Sequence, residues 1–257
     1  MKLSIITINY NNCAGLQKTI DSVIAQTWRD FEWIVIDGGS TDGSKELIEK
    51  YKEHFAFWCS EPDKGIYNAM NKGIIHATSD YLQFLNSGDN LTDERVVGEF
   101  VEKEWEEDVI AGDVLFDNKI VKHHIDDKDF DFDYMYNGAF CHQATYIKRK
   151  LFAQYGMYDE SLRIVSDWKF LFEVLIIHGV TYRHWERTVA IFYTNGISFS
   201  NEYRPMLLDE RAKVLSQYRR ITQSIEKRNK RIGELDLPIM VLLRQRALKK
   251  LKKMFGL

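Results

Sequence analysis

A short polar stretch near the middle of the chain carries residue types that could do chemistry. FLNSGDN, residues 84–90, ends an apolar run in a polar cluster in which only Asp89 is charged. One carboxylate, helped by Asn86 and by the charges of a bound ligand, could hold a divalent cation, because such cations prefer oxygen ligands. The same residue types also build ordinary surface turns, so the stretch alone leaves both interpretations open.

The elements that must position this cluster alternate between strands and helices. Apolar, β-branched runs that are typical of buried strands recur, and each is followed by apolar residues at helical spacing, the first after the N-cap candidates Asn11 and Asn12. This alternation predicts an α/β fold with a mostly parallel central sheet flanked by helices. The predicted strands are LSIITI, EWIVID, FAFWCSEPD, YLQFLNSGD and DVIAGDVLF.

Polar clusters follow the first four of these strands. Ligands of such sheets bind outside the carboxyl ends of the strands, which meet at one edge. A single cluster of this kind is more often a turn, but four of them together predict one ligand-binding cleft. The clusters are Thr7, Asn9 and Tyr10, then residues 37–42, residues 61–64 and residues 86–89.

Motif spacing and composition disfavour several other functions. No GxGxxG motif occurs, and in DGGSTDGSK the pair Ser44 and Lys45 reverses the order that a P-loop requires. The cysteines Cys13, Cys59 and Cys141 lack CxxC spacing, so neither a disulfide framework nor a thiolate zinc site is expected. No apolar stretch approaches the roughly 18 residues of a membrane span. A reducing cytoplasm fits this composition best.

The charge of the chain is divided between an acidic body and a basic tail. Residues 1–210 carry 21 Lys and Arg against 35 Asp and Glu, whereas residues 211–257 carry 14 against 3. In segment 239–257 the apolar residues fall on one helical arc and the basic residues opposite, as in helices that lie on a membrane surface. The alternative is a helix packed on its own domain. Nucleic acid is not expected as a partner, because no basic groove studded with aromatic residues accompanies the charge.

Five stretches, taken in order and spacing, resemble one known family. They are SIITINYNN, QTWRDFEWIVIDGGSTDGS, SEPDKGIYNAMNKGI, FLNSGDN and IVSDWKF, and they cover about residues 1–200. The chain is identified by them as a member of the inverting family-2 glycosyltransferases of the GT-A fold, which has a Rossmann-like sheet. It especially resembles bacterial enzymes of surface-polysaccharide assembly. The resemblance implies a nucleotide-sugar-binding half at 1–93, an acceptor-binding and catalytic half at 94–200, and a helical basic extension at 201–257.

The resemblance also implies roles for residues at the predicted strand ends. Asp37 matches the aspartate that contacts the base of a nucleoside-diphosphate sugar, and Asp89 matches the direct ligand of a metal, Mn²⁺ or Mg²⁺. Asn86 departs from the acidic pattern of the family; its amide can hydrogen-bond a ribose hydroxyl, and the metal is expected to bind together with the donor. The other implied nucleotide contacts are Thr7, Asn9, Tyr10, Asp63 and Lys64.

In the acceptor half, the resemblance implies one catalytic residue. Asp167 matches the aspartate that acts as general base, taking the proton of the acceptor hydroxyl as its oxygen attacks the anomeric carbon. An aspartate before a helix can also cap it, which would hold the carboxylate in place. His142 is a candidate for a diphosphate or acceptor contact, with a structural histidine as the alternative. Residues 119–133 predict a substrate-facing loop, and residues 192–200 resemble a segment that covers the donor.

These features together predict a cytoplasmic, metal-dependent transferase that moves one sugar from a nucleoside diphosphate, with UDP the first choice, to a glycan or lipid-linked acceptor. A single addition is expected, because QYRRI, from Gln217, lacks the tryptophan of the QxxRW motif of processive relatives. Residues 239–257 are expected to contact the membrane peripherally at its cytoplasmic face. Two alternatives stay open: a sugar nucleotidyltransferase, although the chain lacks that class's Gly-rich basic first loop, and a nucleotide-sugar-binding module without turnover.

Overall fold

The apolar runs of the first half form four parallel strands. In the computed structural model, which describes residues 2–116, 119–121, 132–193 and 202–219 with Gln223 and Lys227, these strands pair in the order β3, β2, β1, β4. Every residue of β1, β2 and β4 is buried, because both faces of these strands are covered, whereas β3 lies at the sheet edge and is half-buried. The strands are β1 (Leu3–Asn9), β2 (Glu32–Asp37), β3 (Phe57–Ser60) and β4 (Tyr81–Phe84).

The predicted helices follow these strands. They are α1 (Cys13–Ile24), α2 (Ser44–Tyr51), α3 (Ile66–His76) and α4 (Val96–Glu102). The predicted cap of α1 is confirmed, since the Asn12 side chain accepts a hydrogen bond from the backbone N–H of Gly15 at 3.2 Å. Helix α4 ends before its apolar pattern does, because Trp105 folds back and donates from Nε1 to the Phe100 carbonyl at 3.0 Å.

The second half extends the same sheet with a mixed arrangement. Its strands are β5 (Asn90–Leu91), β6 (Val109–Phe116), β7 (Lys119–Val121), β8 (Thr145–Lys148) and β9 (Tyr182–Phe192). Strand β8 lies between β4 and β6 and is antiparallel to both, while β6 and β9 are parallel. Strand β7 pairs antiparallel with β6, and β5 with β9. The parallel arrangement therefore holds for the first four strands, and the halves expected on either side of residue 93 share one sheet.

Four further α-helices lie in the second half of the described chain. They are α5 (Phe132–Asn137), α6 (Lys150–Tyr155), α7 (Ser166–Phe172) and α8 (Arg204–Gln217). Helix α7 continues into one π-helical stretch, Glu173–Ile177. The indole N–H of Trp168 donates to the Met135 carbonyl at 2.8 Å, so α7 is tied to α5 near its start.

The chain divides into two compact units, Met1–Glu210 and Arg211–Leu257. The larger unit contains the whole sheet. Three predicted segments lie outside the described residues: most of the charged loop at 119–133, the covering segment from 194 to 200, and the amphipathic tail at 239–257. Within the part of the chain that the structure describes, no helix is long and apolar enough to cross a membrane.

Candidate active site

A cleft of about 1040 Å³ opens at the carboxyl ends of the parallel strands. The loops after β1, β2 and β3 and the turn after β4 all contribute to its wall, so the four polar clusters of the sequence meet at one edge of the sheet. Residues from the second half close the other side. The polar and aromatic lining residues used below are Asn9, Tyr10, Lys18, Asp63, Tyr67, Asn86, Asp89, His142, Arg163, Asp167 and Tyr193.

Asp37 lies behind this wall and is fully buried. One carboxylate oxygen accepts from Asn9 Nδ2 at 2.7 Å and from Ser40 Oγ at 2.5 Å, and the other accepts from Ser60 Oγ at 2.6 Å and from the Ser40 N–H at 3.0 Å. Burial raises the pKa of Asp37, but these hydrogen bonds outweigh it and hold the pKa below its ordinary value. The carboxylate is thus charged and already fully occupied by the protein.

Two other residues expected at the nucleotide lie away from the cleft surface. Thr7 is fully buried, and its hydroxyl accepts from the Trp33 indole N–H at 3.1 Å. Lys64 is exposed, and its backbone N–H donates to Asn68 Oδ1 at 3.2 Å. This geometry indicates that Thr7 stabilises β1 and does not contact a ligand.

Tyr10 and Asp63 form the end of the cleft beside Gly38. A Cβ at Gly38 would lie 3.0 Å from Asp63 Oδ2 and 3.1 Å from Tyr10 Cδ2, so a larger residue there would push both side chains away. Lys72 donates to Asp63 Oδ1 at 2.6 Å and fixes that carboxylate, while the Tyr10 ring is 68% exposed. An open aromatic ring next to a fixed acceptor suits a planar base that carries N–H groups.

The turn after β4 is fixed by helix α1. Gly88 has φ +104°, which lets the chain reverse so that the Asp89 N–H reaches the Asn86 carbonyl at 2.9 Å. Thr19 Oγ1 accepts from the Gly88 N–H at 2.9 Å and donates to the Asp89 carbonyl at 2.8 Å. Sequence reasoning missed Thr19; its only signal is a hydroxyl on the apolar face of a helix.

His142 lies between the two carboxylates that matter most. Its Nε2 is 3.7 Å from Asp89 Oδ2 and its Nδ1 is 3.6 Å from Asp167 Oδ2. Burial lowers the pKa of His142, but the nearby carboxylates of Asp167 and Asp89 outweigh it and raise the pKa to about 10. The imidazole thus lies between the turn after β4 and the start of α7 and faces a carboxylate from each.

The Asn86 amide lies against the His142 ring. Asn86 Nδ2 lies 3.0 Å from His142 Nε2, yet both atoms are donors when the ring carries two protons. Asn86 Oδ1 is buried without a hydrogen-bond partner among the described residues. Amide nitrogen and oxygen exchange places by a half-turn, so the pairing follows the proton at Nε2: a protonated Nε2 pairs with the Asn86 oxygen, and an unprotonated Nε2 accepts from the Asn86 N–H₂.

Asp167 sits in the first turn of α7 and is partly exposed to the cleft. Tyr67 OH lies 2.8 Å from Asp167 Oδ1 and 2.6 Å from the Ile164 carbonyl. Burial raises the pKa of Asp167, but His142, Tyr67 and a backbone N–H lower it below the ordinary value, so the carboxylate is ionised. Val165 occupies the cap position and no side chain caps the helix, so the capping interpretation of Asp167 is wrong.

The residues at the turn fit a hard divalent cation only in part. Among the described residues, no group of three or more His, Cys, Asp or Glu side chains could hold a metal. Asp89 supplies one carboxylate and Asn86 one amide oxygen, both of the oxygen type that Mg²⁺ and Mn²⁺ prefer. The remaining positions would have to come from phosphate oxygens and water, so this donor set fits a cation that binds together with a phosphorylated ligand.

Comparisons with known proteins agree on one family. The model of glycosyl transferase family 2 matches residues 4–155. An uncharacterized glycosyltransferase of Mycobacterium tuberculosis strain H37Rv is 37% identical over 210 residues, covering 78% of each chain. A PGL/p-HBAD biosynthesis glycosyltransferase of Mycobacterium bovis BCG is 32% identical over 174 residues, covering 65% of this chain and 67% of the relative.

Two solved structures share the fold at low sequence identity. S. aureus TarS 1-349 in complex with UDP-GlcNAc has a TM-score of 0.65 at 17% identity, covering 78% of this chain and 61% of that one. The mannosyltransferase PcManGT from Pyrobaculum calidifontis, in complex with GDP-Man and Mn²⁺, has a TM-score of 0.65 at 15% identity, covering 85% and 64%. The chain thus spans less than two thirds of either solved chain. The GT-A type of fold expected from the sequence is confirmed.

Proposed function

The chain belongs to glycosyl transferase family 2, and from that premise we propose that it transfers one sugar from a nucleoside-diphosphate sugar to a saccharide hydroxyl with inversion. UDP is the first candidate for the nucleotide. One observation carries the proposal: Asp89 and Asp167, from opposite halves of the chain, face the same cleft across His142 at 3.7 and 3.6 Å. This arrangement supports a diphosphate anchor at Asp89 and a base at Asp167.

The donor nucleotide is assigned to the end of the cleft formed by Tyr10 and Asp63. Tyr10 offers an exposed ring for a base, and Asp63 offers a carboxylate held by Lys72. Asn9 lines the same region while its amide nitrogen holds Asp37. In this arrangement Asp37 orients the wall, and direct contact between Asp37 and a base would require Ser40 or Ser60 to release it. The bound nucleotides of the two solved structures, UDP-GlcNAc and GDP-Man, support a sugar nucleotide as ligand.

A divalent cation, Mn²⁺ or Mg²⁺, would be held by Asp89. Asn86 would either supply an oxygen ligand to the cation or contact the ribose. When bound, it would neutralise charge on the diphosphate and so favour its departure. Mn²⁺ in PcManGT supports this assignment. His142 would meet the diphosphate from the side of Asp167, since its ring lies between the two carboxylates.

Asp167 is proposed to take the proton of the acceptor hydroxyl as general base. As the hydroxyl oxygen bonds to the anomeric carbon, the bond from that carbon to the diphosphate oxygen breaks, and its electron pair leaves with the nucleoside diphosphate. Attack from the face opposite the leaving group inverts the anomeric configuration. The Tyr67 hydroxyl lies 2.8 Å from Asp167 Oδ1, and the other oxygen, which faces His142 at 3.6 Å, is proposed to accept the proton.

The acceptor is proposed to be a glycan or a lipid-linked saccharide at the cytoplasmic face of a membrane. This rests on the sequence of residues 239–257, which lie outside the described residues, and on the charge of 14 Lys and Arg against 3 Asp and Glu in 211–257. Removing residues 239–257 should reduce sedimentation with anionic vesicles and leave UDP binding unchanged. Equal vesicle binding by both proteins would contradict the proposal.

Incubation with a panel of sugar nucleotides tests the proposed function. Slow release of UDP or GDP from one of them, faster with a glycan acceptor and inverting by NMR of the product, is the expected result. A nucleotidyltransferase would instead consume a sugar phosphate and a nucleoside triphosphate with pyrophosphate release. A binding module would retain affinity for the nucleotide and release nothing.

A further inference from the structure

Some charged side chains of the cleft face a side chain of opposite charge, and others do not. Asp63 is paired with Lys72, and Asp89 and Asp167 both face His142. Two cations that line the cleft, Lys18 and Arg163, have no carboxylate within ion-pair distance in the described ranges. Each instead lies over a tyrosine ring, Lys18 Nζ at 5.6 Å from the centre of Tyr193 and the Arg163 guanidinium at 5.4 Å from that of Tyr203. Unpaired cations in a cleft suit anionic ligands.

Arg163 is presented by a rigid stem. Its backbone N–H donates to Glu210 Oε1 at 2.7 Å, and the next N–H, that of Ile164, donates to Glu210 Oε2 at 3.0 Å. Glu210 is only 7% exposed, so this double contact is shielded from water. With the backbone held and the Tyr203 ring beside it, the guanidinium keeps its donor groups available for a ligand.

The two cations belong to opposite ends of the reaction. Lys18 precedes Thr19, which holds the turn of Asp89, so it lies on the donor side. Arg163 precedes Ile164, whose carbonyl oxygen lies 2.6 Å from the Tyr67 hydroxyl that is also 2.8 Å from Asp167 Oδ1. Arg163 is thus tied to the base, which must meet the acceptor hydroxyl.

We propose that Arg163 binds an anionic oxygen group, a phosphate or a carboxylate, carried by the acceptor saccharide. A guanidinium donates two parallel N–H bonds to such a group, which gives both affinity and orientation. The acceptor class that follows is a saccharide phosphate or a uronate-containing glycan. The inference rests on the proposed function, because only that function makes Asp167 the base that meets the acceptor.

Binding of three small probes to the full chain, saturated with UDP and Mn²⁺, tests this inference. Glucose 6-phosphate and glucuronate represent the two anionic groups, and glucose is the neutral probe. NMR titration should show that at least one anionic probe binds about tenfold or more tighter than glucose. Arg163→Gln should remove this preference, a loss of roughly 10- to 100-fold, because a hydrogen bond to a charged group is lost. Arg163→Lys, which keeps the charge and loses the fork, should lie between the two.

Controls separate this site from general charge effects and from the donor site. Arg95→Gln removes an exposed arginine whose guanidinium lies 3.7 Å from Glu99 outside the cleft lining, and should change nothing. Lys18→Gln should weaken UDP and leave the anionic preference intact. Equal binding of all three probes to the wild type, or a weaker affinity for UDP in Arg163→Gln, would overturn the inference.

UDP affinity, measured before each probe is added, distinguishes the two possible failures. If UDP binds and the sugar-nucleotide panel shows turnover while the anionic preference is absent, only the assignment of Arg163 is wrong. If UDP does not bind, the proposed function fails, and the acceptor assignment fails with it.

Discussion

The donor end and the acceptor end of the cleft are built in different ways. At the donor end, Asn9 ends β1, Tyr10 follows it, and Asp89 lies in the turn after β4, so the sheet itself brings them to one edge. At the acceptor end, Asp167 comes from the first turn of a seven-residue helix and depends on Tyr67, which lies 100 residues earlier in the chain. Strand ends therefore position the first set, and long-range hydrogen bonds position the second.

The same difference separates two buried aspartates. Asp37 at the end of β2 accepts four hydrogen bonds, and no oxygen lone pair is left for another partner. Asp167 has two hydrogen-bond donors, the Tyr67 hydroxyl and the backbone N–H of Trp168, and His142 Nδ1 lies farther away, at 3.6 Å from Oδ2. A carboxylate that must take up a proton needs such an open position. A buried carboxylate whose hydrogen-bonding capacity is fully used thus indicates a structural role, and one with an open position indicates a catalytic role.

Replacing Asp167 should give the largest effect. Asp167→Asn keeps the size of the side chain and removes the charge, so acceptor-dependent UDP release should fall by roughly 10²- to 10⁴-fold, as for the loss of a positioned base. UDP affinity should hardly change, because the nucleotide end is untouched. The assay is run where circular dichroism shows the variant fully folded. Near wild-type turnover would remove Asp167 from the mechanism.

Replacing Asp89 should affect the metal and spare the base. Asp89→Asn should reduce the additional UDP affinity given by Mn²⁺ by at least roughly 10- to 100-fold. Losing a residue that only hydrogen-bonds a metal ligand already has an effect of that size on metal affinity, and Asp89 is proposed to be a ligand itself. Calorimetry with UDP in Mn²⁺ and in EDTA measures this difference. Asp93→Asn is the control, since Asp93 pairs with Arg187 outside the cleft lining. Equal UDP affinity of the wild type in EDTA and in Mn²⁺ would contradict a metal site at Asp89.

Replacing Asp37 should mainly lower the stability of the fold. In Asp37→Asn an amide N–H₂ faces the buried donors of Ser40, Ser60 and Asn9, so the free energy of unfolding should fall by about 1–3 kcal/mol. Glu32→Gln is a matched control at the other end of β2, where Glu32 is buried and accepts from Ser4 and Thr78. Denaturant unfolding and UDP titration are measured on both variants. We expect similar destabilisation and weaker UDP binding only in Asp37→Asn; unchanged UDP binding would make Asp37 purely structural.

Much of the fold follows from the sequence because its signals are local. The buried runs of β1 to β4 and the apolar spacing of α1 to α3 each lie within a dozen residues, and they predict the order strand, helix, strand. The position of β8 between β4 and β6 has no such signal. That pairing joins Tyr81 to Lys148 and Val109 to Ile147, so it depends on contacts that no local period encodes.

The site divides in the same manner. The turn at Asn86 and Asp89 is visible because its residues are adjacent and follow a strand. Thr19 and Glu210 are not visible, because each acts on a segment far away in sequence, 70 residues from Thr19 to Asp89 and 47 from Arg163 to Glu210. Their residue types are common on helices, and only the folded chain gives them a partner.

Replacing Tyr67 should give the smallest effect and test how the acceptor end is held. Burial and the charge of Asp167 raise the pKa of Tyr67 well above its ordinary value, so its hydroxyl stays protonated and donates. Tyr67→Phe removes that donor, and the pKa of Asp167 should rise because its ionised form loses a hydrogen bond. The acid limb of the kcat/KM profile should move to higher pH by less than about one unit, with a loss in rate of roughly 3- to 10-fold at neutral pH. Tyr158→Phe, another buried tyrosine that packs 5.6 Å from Tyr67, is the control and should leave the profile in place. An identical shift in both variants would mean that the ring cluster as a whole, and not the Tyr67 hydroxyl, positions Asp167.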